Sequence, residues 1–105
     1  MRHIGVDLHK TNFVACYLDA DDTARTETFP LSAEGLARFT RQLSTEDEVA
    51  VEATRNIYYF YDRVQPHVAR VVVVDTYRFQ VSARSKQKTD RADAAALARF
   101  LKLRL

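Results

Sequence analysis

A chain of 105 residues with 47% hydrophobic and 29% charged residues is long enough for one small domain with its own core, which excludes wholesale disorder. Cys16 is the single cysteine, so a disulfide within the chain is excluded, and we predict a cytoplasmic protein. The amino terminus does not resemble a signal peptide, and the longest aliphatic run, Val71 to Val74, is too short to cross a bilayer.

The net charge of +2 is unevenly distributed along the chain. Seven bases and two acids lie between Arg84 and Leu105, whereas the first 83 residues hold nine bases and twelve acids. A basic carboxyl-terminal part on an acidic body indicates a polyanionic partner for that part. A solvated helix face is the alternative interpretation of the same charges.

Three short strands are predicted in the first thirty residues. His3 to Leu8 alternate in character, which places the apolar side chains on one face and Gly5 and Asp7 on the other. Asn12 to Leu18 are rich in β-forming residues, and Thr23 to Phe29 alternate well enough for a third strand. Short links between the three predict an antiparallel meander.

Helical spacing begins after Pro30, where Ser32 is a candidate N-cap. A short strand from Glu48 to Val51 then leads to Glu52, and a second amphipathic helix begins at Ile57. The order continues with the aliphatic strand Val71 to Val74, of a kind buried on both faces of a parallel sheet. A polar, irregular stretch over residues 76–88 precedes a helix over residues 90–105. The pattern predicts one α/β domain over residues 1–105, with a mixed sheet and helices packed on it.

Four carboxylates are candidates for a functional site. Asp7 lies within an apolar strand and Glu52 directly follows one, and an unpaired carboxylate buried there would cost several kcal/mol. Asp90 and Asp93 lie at i and i+3, on the stripe that the rest of their helix buries. A capping box at the start of that helix is the competing explanation for this pair, and the two explanations are compatible.

Oxygen donors from a strand, a strand end and a helix start suit a hard cation such as Mg²⁺. A pair of such ions can activate a hydroxyl and stabilise the leaving oxygen of a phosphodiester. The three histidines, His3, His9 and His67, lack zinc-ligand spacing, and His9 is interpreted as a turn residue with a satisfied side chain.

Three segments resemble the motifs of a known family. They are Ile4 to Lys10 (IGVDLHK), Val51 to Thr54 (VEAT) and Lys88 to Ala94 (KTDRADA), the last followed by Leu97-Ala98. In this order and spacing they resemble the DEDD transposases of insertion-sequence-110-like elements, which are related to Piv-type DNA invertases. Arg55 departs from the resemblance, because many relatives have a small residue there.

The resemblance implies a ribonuclease-H-like (RuvC-like) fold with three antiparallel strands, βαβ units and a carboxyl-terminal helix. It also implies that Asp7, Glu52, Asp90 and Asp93 form a catalytic tetrad that holds Mg²⁺ or Mn²⁺. DNA would be the substrate, with a guide (bridge) RNA and homo-oligomer formation in full-length members. Such members continue into a coil region and a domain with a catalytic serine, so the chain is expected to be truncated at the coil and inactive alone.

The basic residues before the last helix are candidates for contacting a nucleic-acid backbone: Arg84, Lys86 and Lys88. A loop kept soluble by its charge is the alternative for that stretch. Two other functions stay open from the sequence, a structure-selective nuclease resembling junction resolvases and a non-catalytic nucleic-acid-binding or oligomerising module.

Overall fold

The computed structural model describes residues 2–74 and 90–103, and it describes residues 90–93 by their backbone alone. The strands are β1 (His3–Leu8), β2 (Asn12–Leu18), β3 (Ala24–Pro30), β4 (Glu48–Glu52) and β5 (Arg70–Val74). The helices are α1 (Ala33–Arg41), α2 (Ile57–Val64) and α3 (Asp90–Leu103), and a 3₁₀ turn (Gln65–His67) follows α2. The α/β class and the order of elements along the chain are therefore as predicted.

The five strands form one mixed sheet in the order β3-β2-β1-β4-β5. β1, β2 and β3 are antiparallel neighbours, which confirms the predicted meander. β4 pairs in parallel with β1 on one side and with β5 on the other. β1 is thus a central strand, and its carboxyl end lies at the same edge of the sheet as the carboxyl end of β4.

Helices pack on both faces of the sheet. One face carries an aromatic core in which the Phe13 and Phe29 rings stack at 5.1 Å, and Phe39 and Phe60 meet Phe13 edge-on at 5.2 and 5.5 Å. The helices α1 and α2 supply Phe39 and Phe60 to this core. Helix α3 covers the opposite face, where Ala94 and Ala98 are fully buried.

Ser32 caps helix α1 as its sequence predicts. Its side chain accepts a hydrogen bond from the backbone N–H of Gly35 at 3.1 Å, which satisfies one of the open donors of the first turn. The second helix is shorter than its apolar pattern indicates. Pro66 falls in the 3₁₀ turn that follows Val64, since proline cannot donate the backbone hydrogen bond that an α-helix would need.

The prediction that the strand Val71 to Val74 is buried on both faces was wrong. β5 lies at the edge of the sheet that the structure describes, and Val73 is 43% exposed. Only Val74 is buried, because it packs with residues of α3 on the helix-covered face. A continuous aliphatic run specifies a strand but not its place in the sheet.

A buried ion pair joins Arg2, near the amino terminus, to Asp47, which directly precedes β4. Asp47 is 2% exposed, and its carboxylate accepts from the Arg2 guanidinium at 2.8 Å and from the backbone N–H groups of Arg2 and Ser44 at 3.1 and 2.9 Å. Burial alone would raise the pKa of Asp47, but these hydrogen bonds and the charge of Arg2 outweigh it and leave the pKa below its usual value.

We expect Asp47→Asn to lower the free energy of unfolding by about 2 kcal/mol at pH 7, because the amide cannot match the charge-assisted hydrogen bonds. A depressed native pKa stabilises the fold above the unfolded pKa, about 3.9, and that stabilisation is lost as the pH falls through the native value. In urea unfolding, the difference between wild type and variant should therefore shrink towards pH 3. The exposed Asp62→Asn is the control, and a difference that does not depend on pH would contradict this role.

Candidate active site

Strand register places two of the predicted site residues side by side. Val6 of β1 is the partner of Val51 of β4 in the parallel pair, so the next positions, Asp7 and Glu52, are neighbours at the carboxyl ends of both strands. Neighbouring strands lie about 4.8 Å apart, which brings the two carboxylates within reach of one small ion. Asp7 is 8% exposed and Glu52 is half-buried.

Both acids lie on the sheet face that helix α3 covers. Gly5 precedes Asp7 on that face by two positions, and its Cα carries no side chain to keep the helix away. A Cβ there would lie 2.0 Å from the carbonyl oxygen of Ala94 and 2.4 Å from the backbone nitrogen of Ala98. The backbones of β1 and α3 therefore meet at Gly5.

The contacts at the far end of α3 give its direction. The Lys102 ammonium bonds the carboxylate of Asp22 and donates to the carbonyl of Ala20 at 3.4 Å, in the turn that follows β2. That turn adjoins the amino end of β1, since Leu18 is the register partner of His3. Helix α3 therefore runs antiparallel to β1 and begins at the sheet edge where Asp7 and Glu52 lie.

The rise per residue of a helix and of a strand gives the position of the first residues of α3 relative to Asp7. Gly5 faces the turn from Ala94 to Ala98, and Asp7 lies about 6.6 Å further along β1. At about 1.5 Å per residue, the same level on the helix falls roughly between the backbones of Asp93 and Asp90. The fold thus brings the backbone of this pair to the edge of the sheet that carries Asp7 and Glu52. The side chains of Asp90 and Asp93, and all of Arg84, Lys86 and Lys88, lie outside the described residues.

A transposase family model, that of the DEDD transposases of insertion-sequence-110-like elements, matches residues 4–105. The chain belongs to this transposase family. No curated protein matches the sequence. The match spans all three motifs that carry the resemblance, so the family assignment from the sequence is confirmed. Within residues 2–74 and 90–103, no helix of the transposase domain has the length and apolar character needed to span a membrane.

His9 is a polar neighbour of Asp7, the first of the transposase's candidate acids. Its Nε2 lies 2.8 Å from Oδ2 of Asp7, and its backbone N–H donates to the carbonyl of Asn12 at 2.8 Å, which closes the turn between β1 and β2. The interpretation of His9 as a satisfied turn residue fits this geometry. The contact engages Oδ2 of the Asp7 carboxylate.

Among the side chains that the structure describes, no group of three or more histidine, cysteine, aspartate or glutamate residues is arranged to hold a metal ion. Asp7 and Glu52 are the two predicted site carboxylates whose side chains the structure describes at this edge of the sheet. Carboxylate oxygens are the donors that Mg²⁺ and Mn²⁺ prefer, so the donor type at this edge fits those cations.

A pocket of about 150 Å³ adjoins the carboxylates at the same edge of the sheet. It lies between the turn after β1 and the segment after β4, and its lining residues are Leu8, His9, Lys10, Thr54, Arg55 and Asn56. The sequence interpretation did not single out this pocket. Its signal was a basic residue shortly after each of the first two acids, Lys10 after Asp7 and Arg55 after Glu52.

Proposed function

We propose that this transposase domain catalyses metal-dependent cleavage and exchange of DNA strands, with Asp7, Glu52, Asp90 and Asp93 as the carboxylates that hold Mg²⁺ or Mn²⁺. The observation that carries the proposal is the register of β1 and β4, which makes Asp7 and Glu52 neighbours on the face covered by α3. The start of α3 at the same edge supports the inclusion of Asp90 and Asp93. We further propose a ribonuclease-H-like (RuvC-like) fold, which the mixed sheet and the family support.

In this site the protein's side chains would position the reacting groups and would not themselves transfer a group. Asp7 and Glu52 would hold the cation between two strands, and His9 would keep the Asp7 carboxylate in one orientation. The bound cation would supply charge neutralisation at the scissile phosphate and a more acidic hydroxyl or water. Guidance by RNA and assembly into oligomers belong to the same proposal, because they rest on the family alone.

The site can be tested by thermal unfolding with and without cation. A ligand that binds only the folded state at ten times its Kd stabilises by about 1.4 kcal/mol, which for a domain of this size raises Tm by about 5 °C. We expect Mn²⁺ or Mg²⁺ to raise Tm of the wild type by about that amount. The response should be lost in Asp7→Asn and in Asp90→Asn, because each removes one carboxylate ligand.

Asp21→Asn is the matched control, since Asp21 lies exposed in the turn at the opposite end of the sheet. This variant should keep the full response to the cation. A wild-type Tm that is indifferent to both cations, or an Asp7→Asn variant that responds as the wild type does, would contradict the proposed site.

A further inference from the structure

The pocket beside the carboxylates is built by two chain segments that are distant in sequence. Lys10 comes from the turn after β1, whereas Thr54, Arg55 and Asn56 come from the segment after β4. Because β1 and β4 are parallel neighbours, both segments leave the sheet at the same edge. The pocket and the carboxylates therefore lie at the same edge of the sheet.

The two cations of this pocket lack acidic partners within the described part of the chain. Lys10 and Arg55 are exposed, and neither forms an ion pair with a residue that the structure describes. Three other basic side chains of the domain are paired: Arg2 with Asp47, Arg70 with Glu48 and Lys102 with Asp22. Two positive charges are thus available to a ligand at this pocket.

Neutral donors complete the lining. Thr54 and Asn56 are half-buried, and the Asn56 side chain makes no capping hydrogen bond to helix α2 although it occupies the N-cap position. A hydroxyl and an amide beside a lysine and an arginine are the groups that bind the oxygens of a phosphate in proteins. A volume of about 150 Å³ is large enough to admit a phosphate group.

His9 connects this pocket to the carboxylates. It lines the pocket and at the same time contacts Asp7 at 2.8 Å. An acidic site repels the polyanion that it must cut, so cations one side chain away would offset that repulsion along the strand.

We propose that Lys10 and Arg55, with Thr54 and Asn56, form a phosphate subsite that holds the backbone of the DNA strand beside the phosphodiester facing Asp7 and Glu52. This inference rests on the proposed function, because it takes the strand at the carboxylates to be DNA. Arg55 is then a positioning residue, at a place where the family resemblance leads us to expect a small residue in many relatives.

The test is the salt dependence of DNA binding, measured by fluorescence anisotropy with a labelled single-stranded oligonucleotide in EDTA. The slope of log K against log salt falls by about 0.7 for each phosphate of a single strand that the protein no longer neutralises. We expect Lys10→Gln with Arg55→Gln to lower its magnitude by about 1.4, which corresponds to about 25-fold weaker binding at 0.1 M salt if affinities converge at 1 M. Each single variant should show about half of the change in slope.

The matched control is the pair Arg41→Gln with Arg99→Gln, which changes the net charge equally. Both residues are exposed and lie towards the opposite end of the sheet, since Gln42 contacts Arg2 there and Lys102 contacts Asp22. This control should lower the magnitude of the slope by less than 0.7 if the effect is local. An equal loss in the two double variants would overturn the subsite.

Neutral phosphate analogues identify the ligand. A methylphosphonate placed at successive positions of the oligonucleotide should weaken wild-type binding at one or two positions, and the Lys10→Gln, Arg55→Gln variant should be insensitive there. Competition by millimolar inorganic phosphate as strong as competition by unlabelled DNA would indicate a site for the free ion and overturn the strand assignment. Preference for an RNA oligonucleotide of the same sequence would overturn it as well.

DNA binding is measured in EDTA, which removes divalent cations, so the test of the phosphate subsite does not depend on the proposed metal site. A reduced slope in the Lys10→Gln, Arg55→Gln variant together with a cation-indifferent Tm would support the phosphate subsite and contradict the metal site. A cation-dependent Tm with an unchanged slope would support the metal site and contradict the subsite.

Discussion

Gly5→Ala should displace helix α3 from the sheet and abolish the response of the domain to divalent cations. The added Cβ would meet three atoms of α3 at once, at 2.0 Å from the Ala94 oxygen, 2.4 Å from the Ala98 nitrogen and 2.9 Å from the Leu97 Cβ. Two of these atoms are backbone, so no side-chain rotation relieves the overlap. Overpacking of a core usually costs about 1–3 kcal/mol, and we expect at least about 3 kcal/mol here.

The measurements are the free energy of unfolding in urea and the shift of Tm with Mn²⁺. Cys16→Ala is the matched control, because Cys16 is the register partner of Gly5 and is buried under the same helix. Removing its sulfur should cost about 1 kcal/mol and leave the cation response in place. A Gly5→Ala protein with wild-type stability and a wild-type cation response would contradict the close approach of β1 and α3.

Phe39→Ala should cost about 3–5 kcal/mol of unfolding free energy, the usual range for removing a buried aromatic ring. The Phe39 ring is fully buried and contacts Phe13 at 5.2 Å, Phe29 at 5.4 Å and Phe60 at 6.1 Å between centroids. Because this cluster lies on the sheet face opposite α3, the folded fraction should keep its affinity for the cation.

Chemical unfolding at about 10 °C, near the usual temperature of maximum stability, with and without Mn²⁺ separates the two effects. Phe39→Leu offers a milder change if the alanine variant unfolds. Tyr58→Ala is the control, since Tyr58 is 78% exposed and its loss should change stability by less than about 0.5 kcal/mol. A Phe39 variant of wild-type stability would contradict the structural role of the aromatic core. A variant that loses cation affinity while folded would contradict the placement of this core and the candidate site on opposite faces of the sheet.

Local patterns in the sequence were sufficient for most of the fold. The alternation of His3 to Leu8 predicted both the strand and the face on which Asp7 lies, because the period of a strand leaves no other choice. Ser32 was recognisable as a cap from its position alone. The edge position of β5 was not predictable, since Val71 to Val74 read the same in a central and in an edge strand.

The candidate site was predictable only in part. Asp7 and Glu52 could be expected at strand ends, but their adjacency depends on which strands pair and in what register. The buried ion pair of Asp47 was not predictable from local patterns, because its partner, Arg2, lies 45 residues away in the sequence. The pocket between Lys10 and Arg55 was missed for the same reason, as neither segment forms it alone.

The parallel pairing of β1 with β4 has a consequence for the order of assembly. Parallel neighbours cannot be joined by a tight turn, so the meander, helix α1 and their connections must be made before Asp7 meets Glu52. A chain still emerging from the ribosome carries the first acid early but gains its neighbour only after that long loop closes. If Asp7, Glu52, Asp90 and Asp93 form the proposed cation site, that site would therefore be completed only after the chain through Asp93 has been synthesised.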